Sequence, residues 1–234
     1  MNRPPPPSPS RQVTLPASPQ TGSPVPWLTS IHAVRNRGPW GSSSYRGNCG
    51  GYLIKDLIQF YGARRVLDPM TGSGTCADVC RDLDIPCTSF DVKAGQDASD
   101  PASYAGLEEH DLVWLHPPYW RMIRYSDEPR CMSNAPTLAA FMDQIGAVLR
   151  CAASVLAPGG HIAVLIGGYH DRADGDRQVP LPALTTARAI EEGLWPACTD
   201  IIRFQHSNTS SRRSYRSSFI PGLHDTCIVL KAQE

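Results

Sequence analysis

The chain has 234 residues, enough for one well-buried domain, and its 22 basic and 22 acidic side chains cancel. A net charge of zero excludes a global electrostatic footprint for a polyanion, so any nucleic-acid contact must come from a local patch. Only Lys55, Lys93 and Lys231 among the basic residues are lysines; the arginine excess suits bidentate phosphate contacts, but genomic base composition produces the same skew.

Residues 1–26, "MNRPPPPSPSRQVTLPASPQTGSPVP", lack the hydrophobic centre of a signal peptide and read as a disordered, partly polyproline-II tail. Residues 27–234 read as a single domain. Leu53, Ile54, Leu57, Ile58 and Tyr61 recur at helical spacing in "NCGGYLIKDLIQFYGA". "RRVLDPMTGSGT" predicts a short strand from Arg65 to Asp68, a glycine loop and then a helix over "CADVCRDL". "PCTSFDV" predicts a strand closing on Asp91, and "DLVWL" one closing on His116. "LAAFMDQIGAVLRCAASVL" is a long helix stopped by Pro158-Gly159-Gly160. A strand "HIAVLIGG", a helix "LPALTTARAIEEGL", a strand "CTDIIRF" and a last strand "HDTCIVLKA" complete the order. Alternation of this kind implies βαβ units and a mostly parallel sheet covered on both faces.

No run reaches the roughly 18 apolar residues of a membrane span. The 8 cysteines include no Cys-x-x-Cys pair, and Cys76 and Cys80 stand one helical turn apart with no matching histidine pair. The expectation is buried, reduced thiols in a cytoplasmic protein, with no disulfide framework and no metal site.

The loop after Asp68 carries Gly72 and Gly74. It lacks the third glycine of the dinucleotide fingerprint and the lysine of a phosphate-binding P-loop. Asp68 at the strand end repels phosphate but accepts bonds from an ammonium group. The loop therefore suits a ligand with an amino-acid moiety and a ribose, without phosphates. Asp91 ends the next strand at close to the spacing of about 20 residues at which an acid meets a ribose diol; by itself it also reads as a loop-starting or capping residue.

"VLDPMTGSGT" followed by "LHPPYW" resembles the DNA amino-methyltransferases, which methylate adenine N6 or cytosine N4 from S-adenosylmethionine. The resemblance covers about Arg46 to Lys231, with "FIPGLHDTCIVLKA" like the closing strand of that family. It implies a Rossmann-like class I S-adenosylmethionine-dependent methyltransferase fold, with a seven-stranded, mostly parallel sheet and helices on both faces. It also implies that Asp68, Pro69, Gly72, Gly74 and Thr75 hold the methionine and ribose part of the cofactor. Asp91 would bind the ribose hydroxyls, Asp97 would sit beside the adenine, and Asn48 in "RGNCGG" would lie near the methionine carboxylate.

The corner His116-Pro117-Pro118-Tyr119 is the implied catalytic element. An exocyclic base amine is a poor nucleophile because its lone pair is delocalised into the ring. Two acceptors that hold its N–H groups out of plane, His116 and the Pro117 carbonyl, would restore the lone pair, and proline fixes the carbonyl's direction. Tyr119 would stack on a base rotated out of the duplex, and Trp120 would face the sulfonium. The family normally has Asp, Asn or Ser where His116 stands. Neutral imidazole accepts one hydrogen bond and imidazolium none; the structural alternative is that His116 only closes the strand against Trp120.

The chain has little room for a large target-recognition domain. Arg121 and Arg124 follow the corner, and Arg212, Arg213, Tyr215 and Arg216 interleave charge with one ring in "QHSNTSSRRSYRSSF", a pattern that suits a phosphate track. The expected partner is DNA, with recognition by these loops, by a homodimer or by another protein. Two other readings stand beside it: an RNA guanine-N2 methyltransferase, and an inactive methyltransferase fold serving as a binding subunit.

Overall fold

The computed structural model describes residues 15–171, 175, 177–204, 220 and 222–233. In chain order its elements are β1 (Ile31–His32), α1 (Tyr52–Tyr61), β2 (Val66–Asp68), α2 (Thr75–Asp82), β3 (Cys87–Ser89), β4 (His110–Leu115), α3 (Leu138–Ala153), β5 (Leu156–Ile166), β6 (Tyr169–Asp171), β7 (Arg177–Val179), α4 (Leu181–Glu191), β8 (Leu194–Pro196), β9 (Ile201–Phe204) and β10 (His224–Ala232). The main sheet runs β1-β9-β10-β5-β4-β2-β3, with β8 also on β10, and β6 pairs with β7 separately. β3, β2, β4 and β5 are mutually parallel, while β10 is antiparallel to β5, β8 and β9.

The side-chain period of two splits the sheet into two cores. Leu112, Trp114, Ala163 and Leu165 face α1 and α2, whereas Val113, Leu115, Ile162 and Val164 face α3 and α4. This is why the central strands read as continuous apolar runs: both faces are covered. α1 buries Leu53, Ile54, Leu57 and Ile58 and ends at Gly62, whose φ of 60° lets its N–H bond the Ile58 carbonyl.

Residues 15–24 carry no helix or strand, and the chain joins the core at Val25. It is held there by a buried acid on α1. Asp56 accepts from the Trp27 indole at 3.0 Å and meets His32 Nε2 at 3.2 Å. Asp56→Ala leaves His32 buried without its partner and is expected to cost roughly 1–3 kcal/mol, read as a lower denaturant midpoint.

One expectation changes. Pro158-Gly159-Gly160 does not follow the helix directly: α3 ends at Ala153, and the three residues lie inside β5. They form a bulge, since His110 pairs with Leu156 but Leu112 with His161; proline lacks a ladder N–H and Gly159 takes φ 75°, so both suit a bulge. β6 and β7 form a separate antiparallel pair between β5 and α4. No helix among the described residues is long and apolar enough to cross a membrane.

Candidate active site

The carboxyl ends of β2 and β4 open onto a cleft of about 860 Å³, its mouth included, lined by residues from both strands and from the loops above them. β10 runs the other way, so its first residues reach the same end of the sheet as the last residues of β5.

Asp68 ends β2 and is buried at the cleft. Its Oδ1 accepts the Met70 N–H at 3.1 Å. Burial pushes its carboxyl up to about 8, because so little around it compensates an anion. Gly72 and Gly74 both adopt positive φ, 50° and 80°, and Gly74 caps α2. Gly72 donates its N–H to Asp91 Oδ2 at 3.1 Å, and Asp91 Oδ1 accepts from Lys93 N–H at 3.0 Å. Asp91 thus caps a single 3₁₀ turn and stands at the cleft wall. Asp97, buried deeper along the cleft, is fixed through Oδ1 by both the backbone N–H and the hydroxyl of Ser99, each at 2.8 Å.

The segment before α1 forms the other wall. Asn48 Oδ1 accepts from Thr75 Oγ1 at 2.6 Å and Ser73 Oγ at 3.0 Å, while its amide donates to the Ser42 carbonyl. One side chain therefore clamps this segment onto the glycine loop. Asn48→Ala removes that clamp and is expected to weaken ligand binding at the cleft by roughly 5- to 30-fold, on the scale of one or two hydrogen bonds, measured by calorimetry. Tyr45 and Tyr125 stack above with ring centroids 6.2 Å apart, and Lys93 Nζ lies over the Tyr45 ring. Gly47 has to be glycine here: its φ is 86°, and a Cβ would overlap the Tyr125 hydroxyl oxygen.

His116 and Pro118 line the cleft, while Pro117 is buried. Burial lowers the His116 imidazole to about 4, with the Arg203 cation helping and Asp225 opposing. His116 Nε2 lies 3.4 Å from the Tyr119 hydroxyl. Burial first, then the negative charge of Asp225, holds that hydroxyl well above the usual tyrosine range. Asp225 on β10 in turn accepts from Arg203 on β9 at 2.9 Å, the two being register partners. Either Nε2–H or the tyrosine O–H can supply the proton of the His116–Tyr119 contact.

Asp68, Pro69, Gly72, Thr75, Asp91, Asp97, Asn48, His116 and Pro118 therefore meet at one cleft. Tyr119 does not line it; its ring lies against Gly167 and its hydroxyl turns to β10. Trp120 is a correction. Its backbone sits at φ 49°, which drives the indole into the core, where Nε1 donates to the Ala135 carbonyl at 3.0 Å. That ring is buried and offers no face to a base or a sulfonium. Arg121 is not a free cation either, since it stacks on Trp120 and pairs with buried Asp171 at 2.5 Å. Arg124 is exposed and paired with Asp127. Arg212, Arg213, Tyr215 and Arg216 lie outside the described residues. Sequence reasoning missed Tyr45, Gly47 and Arg130 at the cleft, and Asp225 with Arg203 behind the corner. The one signal for Asp225 is the family-like closing strand; nothing marks Arg203, which needs the register of β9 on β10.

TrmN from Thermus thermophilus is 20% identical and superposes with a TM-score of 0.51, over 81% of this chain and 51% of that one. The fold is that of the class I S-adenosylmethionine-dependent methyltransferases. Lower scores are found for a candidate DNA modification methylase, also from Thermus thermophilus, in complex with S-adenosyl-L-methionine (22% identity, 59% of this chain and 51% of that one, TM-score 0.43). An S-adenosylmethionine-dependent methyltransferase from Archaeoglobus fulgidus gives 15% identity over 80% of this chain and 95% of that one, at TM-score 0.46. The chain spans about half the length of the two Thermus proteins. No protein-family model matches it, and no curated protein does.

Proposed function

We propose that this chain is an S-adenosylmethionine-dependent methyltransferase acting on the exocyclic amine of a base in DNA, adenine N6 or cytosine N4. The observation that carries the reading is the meeting of the Asp68–Gly72–Asp91 loop and the His116–Pro118 corner in one cleft. The residues fit the cofactor. Asp68 is a buried acid with too few partners, which an ammonium group would compensate; Asp91 and Asp97 are carboxylates held at the wall for hydroxyl and amino donors. When bound there, S-adenosylmethionine supplies an electrophilic methyl on a sulfonium.

The corner does the rest. His116 is neutral at physiological pH, so its unprotonated ring nitrogen accepts one amine N–H, and the Pro117 carbonyl is the candidate second acceptor. Holding both N–H groups out of the ring plane localises the nitrogen lone pair for attack. The proton lost as the new N–C bond forms passes to His116 and then to solvent. A protonated aromatic amine is acidic enough for an imidazole near 4 to take it. Tyr119 acts first as the group that orients His116, with the exposed part of its ring left for stacking on the base.

The test is methyl transfer from labelled cofactor to unmethylated DNA and RNA, followed by nucleoside analysis. Label in N6-methyladenine or N4-methylcytosine from DNA is expected. Label confined to RNA, or S-adenosylmethionine binding without transfer to either, would replace this reading.

A further inference from the structure

Cys76 and Cys80 sit one turn apart on α2, and Cys87 arrives beside them from β3. Their three sulfur atoms all lie within 4.8 Å of one another. Cys76 and Cys80 are buried and Cys87 is half-buried. A buried thiol usually packs singly as a small apolar group; here three converge on one point from two elements.

The location gives such a cluster work to do. β3 is the terminal strand of the sheet, and all three of its residues are half-buried or exposed. The α2 helix above it has only 8 residues. Apolar burial is therefore thin at this corner, directly beneath the glycine loop. Cys76 borders the cleft, and half-buried Cys87 gives the cluster its side toward solvent.

We propose that Cys76, Cys80 and Cys87 form a three-thiolate site for one soft d10 cation that pins α2 to β3. Thiolate sulfur selects copper(I) and zinc(II) over harder ions. At a metal–sulfur distance of about 2.3 Å, three sulfurs around one ion stand about 4 Å apart, which small side-chain rotations reach from the observed spacing. Copper(I) is satisfied by three thiolates, whereas zinc(II) takes a fourth ligand, here water. Binding forms three metal–sulfur bonds and releases the thiol protons to solvent; no oxidation state changes.

The site is tested on the reduced full-length protein, without oxygen, by competition for copper(I) against bicinchoninate and, separately, for zinc(II) against a chromophoric chelator. One equivalent of copper(I) is expected to be withdrawn, with protection of three thiols from a thiol reagent and a higher melting temperature. Cys80→Ala and Cys87→Ala are expected to abolish all three effects, and Cys198→Ser, at the exposed cysteine outside the cluster, to leave them. Zinc retained in place of copper supports the site in its four-coordinate form. Retention of neither metal overturns the proposal, as does retention undiminished in both cluster variants, provided each variant keeps the wild-type circular dichroism. None of these readouts depends on methyl transfer.

Discussion

His116→Ala is expected to lower the rate of methyl transfer by about two to four orders of magnitude, the range for loss of a positioned proton acceptor, with cofactor affinity unchanged. The imidazole lines the cleft at the end of β4, whereas the proposed cofactor contacts come from β2, β3 and the loops that follow. His116→Asn is expected to recover part of the rate, because an amide oxygen still accepts from an amine. Tyr119→Phe removes the oxygen that contacts the imidazole at 3.4 Å, so a smaller fall is expected. The pH profile carries the sign: only neutral imidazole accepts, and burial puts its protonation near 4. The single-turnover rate is therefore expected to stay level from neutral pH down to about 5 and to fall below that. A fall centred near the ordinary histidine value of about 6.5 would sink the buried-acceptor assignment, and a rate unaffected by His116→Ala would sink the role itself. The single-turnover format matters, since slow product release would mask the chemical step.

The second large effect belongs to Asp68. In the free protein burial raises its carboxyl from 3.8 to about 8. Between those values the folded chain keeps a proton that the unfolded chain has lost. Asp68 therefore costs nothing in acid, and its contribution to stability is lost as pH rises from about 4 to about 8. Asp68→Asn has no proton to lose, so the variant is expected to gain stability relative to wild type across that window, read from denaturant midpoints. The same substitution is expected to weaken S-adenosylmethionine binding by roughly 10- to 100-fold, the scale of a charged hydrogen bond. Calorimetry in two buffers of different ionisation enthalpy adds an independent check. Wild type is expected to release a proton at neutral pH when a cationic ligand ionises Asp68, and the variant is not. Equal affinity in the two proteins would remove Asp68 from the cofactor site.

Much of this architecture is legible in the chain because local rules act without interference. The α1 helix shows itself by 3.6-residue spacing and a terminal glycine, and β10 matches "HDTCIVLKA" residue for residue. The glycine loop is legible because positive φ at Gly72 and Gly74 restricts residue choice. Pro158-Gly159-Gly160 reads as a helix stop because the same residues also make a bulge, and only pairing with β4 separates the two. Trp120 reads as available because an aromatic next to a catalytic corner suggests a stacking face; its inward turn depends on one backbone angle.

By itself, then, the sequence determined that Asp68 ends β2 and that His116 directly follows β4, and hence that the glycine loop and the His116-Pro117-Pro118 corner lie at one end of a parallel sheet. Those are short-range facts, set by strand length and by the chain order of the elements. Only the tertiary structure decided what stands behind them. The antiparallel entry of β10 brings Asp225, and through it Arg203, close enough to act electrostatically on Tyr119 and His116. Packing of α2 on β3 brings Cys87 to Cys76 and Cys80. Both are pairings between distant segments, whose partners are chosen by sheet register and helix docking rather than by spacing along the chain.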